Sequence, residues 1–298
     1  MNNKYTVYSI LVGTYDEIRQ PLSVDGRFDY ILFSDAVTVD RIGIWQVRPI
    51  PYHDEDRMRL SRFAKCHPTK VLPEYEASLY IDANIQIATS DVYERFIDLF
   101  ERGVEWGGVK HPSQSCVYEE ICTILTLQWV HDYDVVDWYA RLKNEGFPEQ
   151  WGLFENNVIF RRHNKLVEEI GERWWKTLEH DCKRDQFSLM YVLWSLEPRL
   201  GYITEDEECP RTGSRNYNYY EHNPHKRIVK LGLHEKIRNR CMRVAAPDVR
   251  IGYHELFDML SDFRHPKRML MVWECYAIFK YGPRVLYRNL RYKLTGKL

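Results

Sequence analysis

Apolar and polar positions along this chain fall into short blocks whose period switches repeatedly between two and about 3.6. Residues 5–12 form a run rich in β-branched and aromatic side chains that ends at Gly13-Thr14-Tyr15-Asp16. This reads as a buried strand and its loop. Residues 30–33, closed by Ser34-Asp35, and residues 44–47 predict two more strands. Over residues 56–66 the spacing becomes helical, with Leu60, Phe63 and Ala64 on one side and Arg59, Arg62 and Lys65 on another. Pro68 is expected at the exit from that helix.

The alternation continues. Residues 79–81 predict a strand running into Asp82-Ala83-Asn84-Ile85, and residues 92–102 a helix. A short strand follows at 106–109, then helices over 117–130 and 135–144, a strand at 157–160, and helices over 166–178 and 184–196. Residues 205–224 are polar, rich in Tyr and Asn, and show no period, which reads as a long functional or irregular loop. Strands interleaved with helices predict an α/β fold with parallel pairs, whose ligands gather beyond the carboxyl ends of strands. No internal repeat is visible.

Composition adjusts this picture little. With 298 residues, 44% hydrophobic, the chain has material for one large domain or one domain and an appendage. The net charge of −1 argues against a general nucleic-acid binder. Seven scattered cysteines without a CxxC pair suit reduced thiols better than a disulfide framework or a zinc site. No signal-peptide pattern opens the sequence and no apolar run is long enough to span a bilayer, so a cytoplasmic protein is expected.

The charge is unevenly distributed. From Phe263 onward nine bases face one acid, nine less one giving +8, with aromatic and aliphatic residues between them. Two readings stay open: a helix lying on an anionic membrane, at the inner face, or a helical hairpin with a solvated basic face. The expected organisation is a catalytic domain over 1–230 and a basic helical extension over 231–298.

Several residues could carry chemistry. Asp82 and Asn84 stand two apart at a strand end and offer oxygen ligands suited to Mg²⁺ or Mn²⁺, although a turn explains the same tripeptide. Arg62 and Lys65, three apart, share a helix face and could hold phosphates, or form a solvated stripe. Asp185, opening a helix, is a cap or a ligand for sugar hydroxyls. His111, with Glu119 and Glu120 beyond it, supplies polar groups near a strand end, where either glutamate could bind an acceptor or act as a base. His222 in the polar loop is a candidate third metal ligand.

Taken in order, Val12-Gly13-Thr14-Tyr15-Asp16, Phe33-Ser34-Asp35, Arg62-x-x-Lys65, Tyr80-Ile81-Asp82-Ala83-Asn84, His111-Pro112 with Cys116-Val117-Tyr118-Glu119-Glu120, and Arg184-Asp185-Gln186 form a specific set. The set resembles the glycosyltransferase-like domain shared by bacterial polysaccharide-cluster proteins and plant Golgi proteins linked to mucilage and pectin. That domain is similar to the family-eight GT-A transferases, with Asn156-Asn157 and Asp185-Gln186 as counterparts of their later motifs. Asn84 stands where those enzymes carry a second Asp.

The resemblance implies a GT-A-like, Rossmann-type mixed sheet and a nucleotide-sugar donor such as a UDP-hexose. It implies the nucleoside near Thr14, Tyr15 and Asp35, the phosphates near Arg62, Lys65 and a metal, and the sugar near Asn157, Asp185 and Gln186. The acceptor would be a saccharide or lipid-linked saccharide in surface polysaccharide synthesis. The other class consistent with Asn84 is a catalytically inactive carbohydrate- or nucleotide-binding module. No GxGxxG follows the first strand, and no GxxxxGK[ST] or GxSxG occurs, so nicotinamide, P-loop and serine-hydrolase chemistry fall behind.

Overall fold

A computed structural model describes residues 3–13, 16–126, 132–180, 184–204 and 208–221, together with 287 and 294. The expected basic extension over 231–298 therefore lies outside the described residues apart from those last two. In chain order the first elements are β1 (Tyr5–Leu11), β2 (Phe28–Ser34), β3 (Arg41–Ile42), β4 (Trp45–Pro49), α1 (Arg57–Cys66) and α2 (Pro68–Val71). Next come β5 (Ala77–Ile81), β6 (Ile85–Ile87), α3 (Asp91–Glu101), β7 (Trp106–Lys110), α4 (Val117–Thr126) and α5 (Asp132–Asn144). The last are β8 (Phe154–Arg162), α6 (Lys165–His180), α7 (Asp185–Leu196), β9 (Leu200–Tyr202) and β10 (Tyr217–Tyr219).

One mixed sheet of eight strands, in the order β3-β4-β2-β1-β5-β8-β7-β9, organises the molecule. The stretch β4-β2-β1-β5 is parallel throughout, as the strand–helix alternation predicts. β8 runs antiparallel to both of its neighbours, β5 and β7. Its antiparallel run lays the start of β8 beside the carboxyl end of β5, through the pair Ile81 and Val158.

Strand alternation sorts the side chains into two layers. Val7, Leu79 and Phe160 point to one face and pack with Phe96 and Leu99 of α3. Tyr8, Tyr80 and Arg161 point to the other, beneath α1, α6 and α7. There the Tyr8 hydroxyl donates to the Ala64 carbonyl (3.3 Å), and Trp106 meets Trp174 edge-on at 5.9 Å. Both faces of the central strands are covered, so they read in sequence as almost continuous apolar runs.

The structure departs from the sequence expectations where segments are short. Pro68 lies just past the end of α1, as expected, and has a second role. It opens the four-residue helix α2, its fixed φ and missing N–H suiting the first helical position. Residues 205–224 are not wholly irregular: β10 pairs antiparallel with β6, and Cys209 bridges Gly213. β3, β6 and β9 span two or three residues, too few to show a period.

Two compact units are distinguished, one of Met1–Ser115 with Gln150–His225, the other including Cys116–Glu149. Within the second, α4 and α5 meet through Tyr118 and Tyr139 (5.6 Å), and the Tyr118 hydroxyl donates to the Phe147 carbonyl at 2.9 Å. Among the described residues no helix is long and apolar enough to cross a membrane. Cys66, Cys116 and Cys209 are buried.

Candidate functional site

The site is built where α1 ends over the carboxyl end of β5. Asp56 caps α1, accepting the Met58 amide at 2.8 Å, an arrangement that contributes about 1 kcal/mol. At the far end Arg161, fully buried in β8, donates to the Lys65 carbonyl and to the Tyr8 hydroxyl. Its guanidinium lies 5.2 Å from the Trp106 ring and 5.5 Å from the Tyr8 ring, so aromatic faces surround much of the charge. The last turn of α1 is thereby tied to the sheet.

This anchoring aims Lys65 inward. Its side chain is 2% exposed, with the ammonium 3.5 Å from Asp82 Oδ1, 3.4 Å from Asp185 Oδ2 and 4.7 Å from the Tyr80 ring centroid. Arg62, one turn earlier, reaches the same Asp185 oxygen at 3.3 Å. Burial opposes ionisation of Asp185, but Arg62, Lys65 and Arg184 outweigh it and hold the carboxyl well below the usual range. The Tyr80 hydroxyl donates to Asp82 Oδ1 at 2.6 Å; burial first, then the Asp82 charge, raise the phenol's pKa well above its ordinary value.

A second cluster adjoins the first through Gln186. Its Nε2 donates to Glu155 Oε2 (3.3 Å), and its Oε1 accepts from Arg184 (2.9 Å). Glu155 also pairs with Arg211 and lies 3.4 Å from His111 Nε2. On the same face of β8, Asn157 is 3% exposed, and neither its Nδ2 nor its Oδ1 has a partner among the described residues. Its backbone carbonyl accepts the Asp82 amide at 2.9 Å, so it borders the Asp82 turn. A buried carboxamide left empty at both ends needs an explanation, and an absent polar ligand supplies one.

Of the residues singled out in the sequence, Arg62, Lys65, Asp82, Asp185, Gln186, Asn157, Asn84 and His111 belong to this end of the sheet. Asp35 sits at the carboxyl end of β2 and accepts the Gly13 amide at 2.9 Å, bracing the loop after β1. Thr14, Tyr15 and His222 lie outside the described residues. Glu119 and Glu120 lie on α4, in the second unit.

β5 ends at Ile81, and Asp82 to Ile85 form a turn closed by a hydrogen bond that the Ile85 N–H donates to the Asp82 carbonyl (2.9 Å). Strand alternation therefore does not set the relation of Asp82 to Asn84. The Asn84 amide group donates to the Tyr220 carbonyl at 2.7 Å, which fixes that side chain and leaves its Oδ1 for another partner. Among the described residues no three His, Cys, Asp or Glu side chains gather as a metal cluster. Mg²⁺ and Mn²⁺ sites beside substrate phosphates need only one or two protein oxygens, and Asp82 and Asn84 Oδ1 are the two candidates this turn carries.

Sequence reading missed Glu155, Arg161 and Arg211, and it gave Arg184 no role beyond its place in the motif. The first two were legible in principle: β8 carries a Glu and an Arg six residues apart in an apolar strand, on one face. Arg211 has no comparable signal, because its partner is 56 residues away in sequence.

Comparison with known proteins follows this geometry. The family model for the TOD1/MUCI70 glycosyltransferase-like domain matches residues 2–211. The chain belongs to that family. A general glycosyltransferase role is thus supported, and every residue of both clusters falls within the matched span. No curated protein matches the chain. Among solved structures, the apo form of WbbM, a bifunctional glycosyltransferase, is similar with a TM-score of 0.41 and 10% identity. The similarity covers 68% of this chain and 39% of that one, so the chain spans well under half of WbbM's length.

Proposed function

We propose that this TOD1/MUCI70 family member transfers a hexose from a UDP-hexose to a saccharide or lipid-linked saccharide acceptor in surface polysaccharide synthesis. The observation that carries the reading is the buried Lys65 ammonium between Asp82 and Asp185, with Arg62 beside it, at the carboxyl end of β5. Burying such a group is expensive, and a site that must meet a diphosphate supplies the reason to keep it.

In this reading Arg62 and Lys65 hold phosphate oxygens, the former through its fork and the latter as a point charge. Asp35, with Thr14 and Tyr15, borders the nucleoside. Asn157, Asp185 and Gln186 meet sugar hydroxyls, with the empty Asn157 carboxamide offering a donor and an acceptor. Glu119 and Glu120 remain the candidates for acceptor binding or proton removal.

A diphosphate gains negative charge as its sugar departs, and Mg²⁺ or Mn²⁺ at Asp82 and Asn84 would offset it as a Lewis acid beside Arg62 and Lys65. The basic segment beyond Phe263 would rest on an anionic membrane face, a reading carried by its +8 charge alone. The second reading, an inactive binding module, draws on Asn84, whose amide is already committed to Tyr220.

Slow hydrolysis of the donor is the simplest activity to look for, since water can replace an absent acceptor. With Mn²⁺ present, the purified protein should release UDP from at least one UDP-hexose, and chelation should suppress it. Tight binding with no release, even with saccharide acceptors added, would favour the inactive module.

A further inference from the structure

Glu155 is 2% exposed and has no part in the transfer as set out above. Its carboxylate is nevertheless met by groups from three separate segments. Arg211 binds Oε1, while Gln186 Nε2 (3.3 Å) and His111 Nε2 (3.4 Å) both face Oε2. His111 Nδ1 accepts the backbone N–H groups of Ser113 (3.4 Å) and Gln114 (3.0 Å). A ring nitrogen that accepts carries no proton, so the proton of the neutral ring sits on Nε2, the nitrogen 3.4 Å from Glu155 Oε2.

Gln186 is held at both ends. An anion faces its amide nitrogen and the Arg184 guanidinium, at 2.9 Å, faces its carbonyl oxygen. Reversing the amide would set oxygen against carboxylate and NH₂ against guanidinium, so only one orientation is stable. The neighbouring residue is Asp185, which holds Arg62 and Lys65. Two residues along β8 from Glu155, on the same face, stands the Asn157 carboxamide, without a partner among the described residues.

We propose that Glu155 is a positioning residue for recognition of the transferred sugar, locking the Gln186 amide and the His111 ring so that hexose hydroxyls meet a fixed donor and acceptor set. The proposal rests on the donor reading and adds a residue to it. A glutamine at 155 would preserve the volume but turn one oxygen into an NH₂ facing other donors, so the lock requires the acid.

The test separates sugar from nucleotide. Calorimetry compares UDP-glucose, UDP-galactose and UDP-N-acetylglucosamine with UDP alone, in Mn²⁺, for wild type and Glu155→Gln. The lock predicts an affinity loss of about tenfold for the preferred UDP-sugar, with UDP held within about twofold. The double variant with Gln186→Ala should lose little beyond Gln186→Ala alone, because the two act as one unit. Should Glu155→Gln fail to fold, Glu155→Asp carries the test: it keeps the charge for Arg211 but withdraws oxygen from Gln186. Equal losses for UDP and UDP-sugar, or none for either, would overturn the proposal. Wild-type protein that binds no UDP-sugar would instead sink the donor reading itself.

Discussion

His111 and His163 show how single residues are set by their surroundings. Burial lowers both imidazoles to about 4 from 6.5, aided by Arg211 and Arg184 at His111 and by Arg161 at His163. In the window between pH 6.5 and 4 the unfolded chain takes up protons that the folded one refuses. Stability is then present above the window and lost as pH falls through it, by up to about 1.4 kcal/mol per pH unit for each histidine. Glu155 works against this, because burial raises its pKa despite Arg211 and protonation is easier in the folded state. Denaturant titrations across the window should show the fall, and His163→Asn should make it shallower; an unchanged slope would contradict the burial argument. At this scale the sequence singled out Arg62 and Lys65 for phosphates, Asp82 for a metal and Asp185 for a cap or sugar hydroxyls, and the four side chains meet in the fold. It was silent on Arg211, whose role depends on a contact made only after folding.

At the scale of elements, the close approach of α6 to the end of α1 shapes the site. Gly171 lies in α6 where an added Cβ would fall 2.2 Å from the Cys66 carbonyl oxygen, a backbone atom that cannot swing aside. Gly171→Ala should therefore push α6 off the end of α1 and destabilise the protein by about 1–3 kcal/mol, read by denaturant unfolding. Because Lys65 adjoins Cys66, the same variant should weaken UDP-sugar binding; full stability with full binding would show that the contact relaxes freely. The long elements were legible because α3 holds its helical spacing over several turns and β2 carries an unbroken apolar run. β10 was not, since Tyr217-Asn218-Tyr219 takes its strand character from pairing with β6, itself only three residues long.

At the scale of the whole molecule, reversal of β8 inside an otherwise largely parallel sheet brings Glu155 and Asn157 beside the end of β5. Strand–helix alternation announced the α/β class, and the ordered motifs announced the family. The direction of β8 was hidden, because an apolar run looks alike in either direction. We propose that Arg62 and Lys65 bind the diphosphate of a nucleotide-sugar together with a divalent ion at Asp82. Calorimetry of wild type and Asp82→Ala against UDP-hexoses, each with Mn²⁺ and with chelator, tests it most directly. Wild type should bind at least one donor, more tightly with Mn²⁺, and Asp82→Ala should lose the Mn²⁺-dependent part. No binding by wild type, or a Mn²⁺ effect that survives in Asp82→Ala, would contradict it.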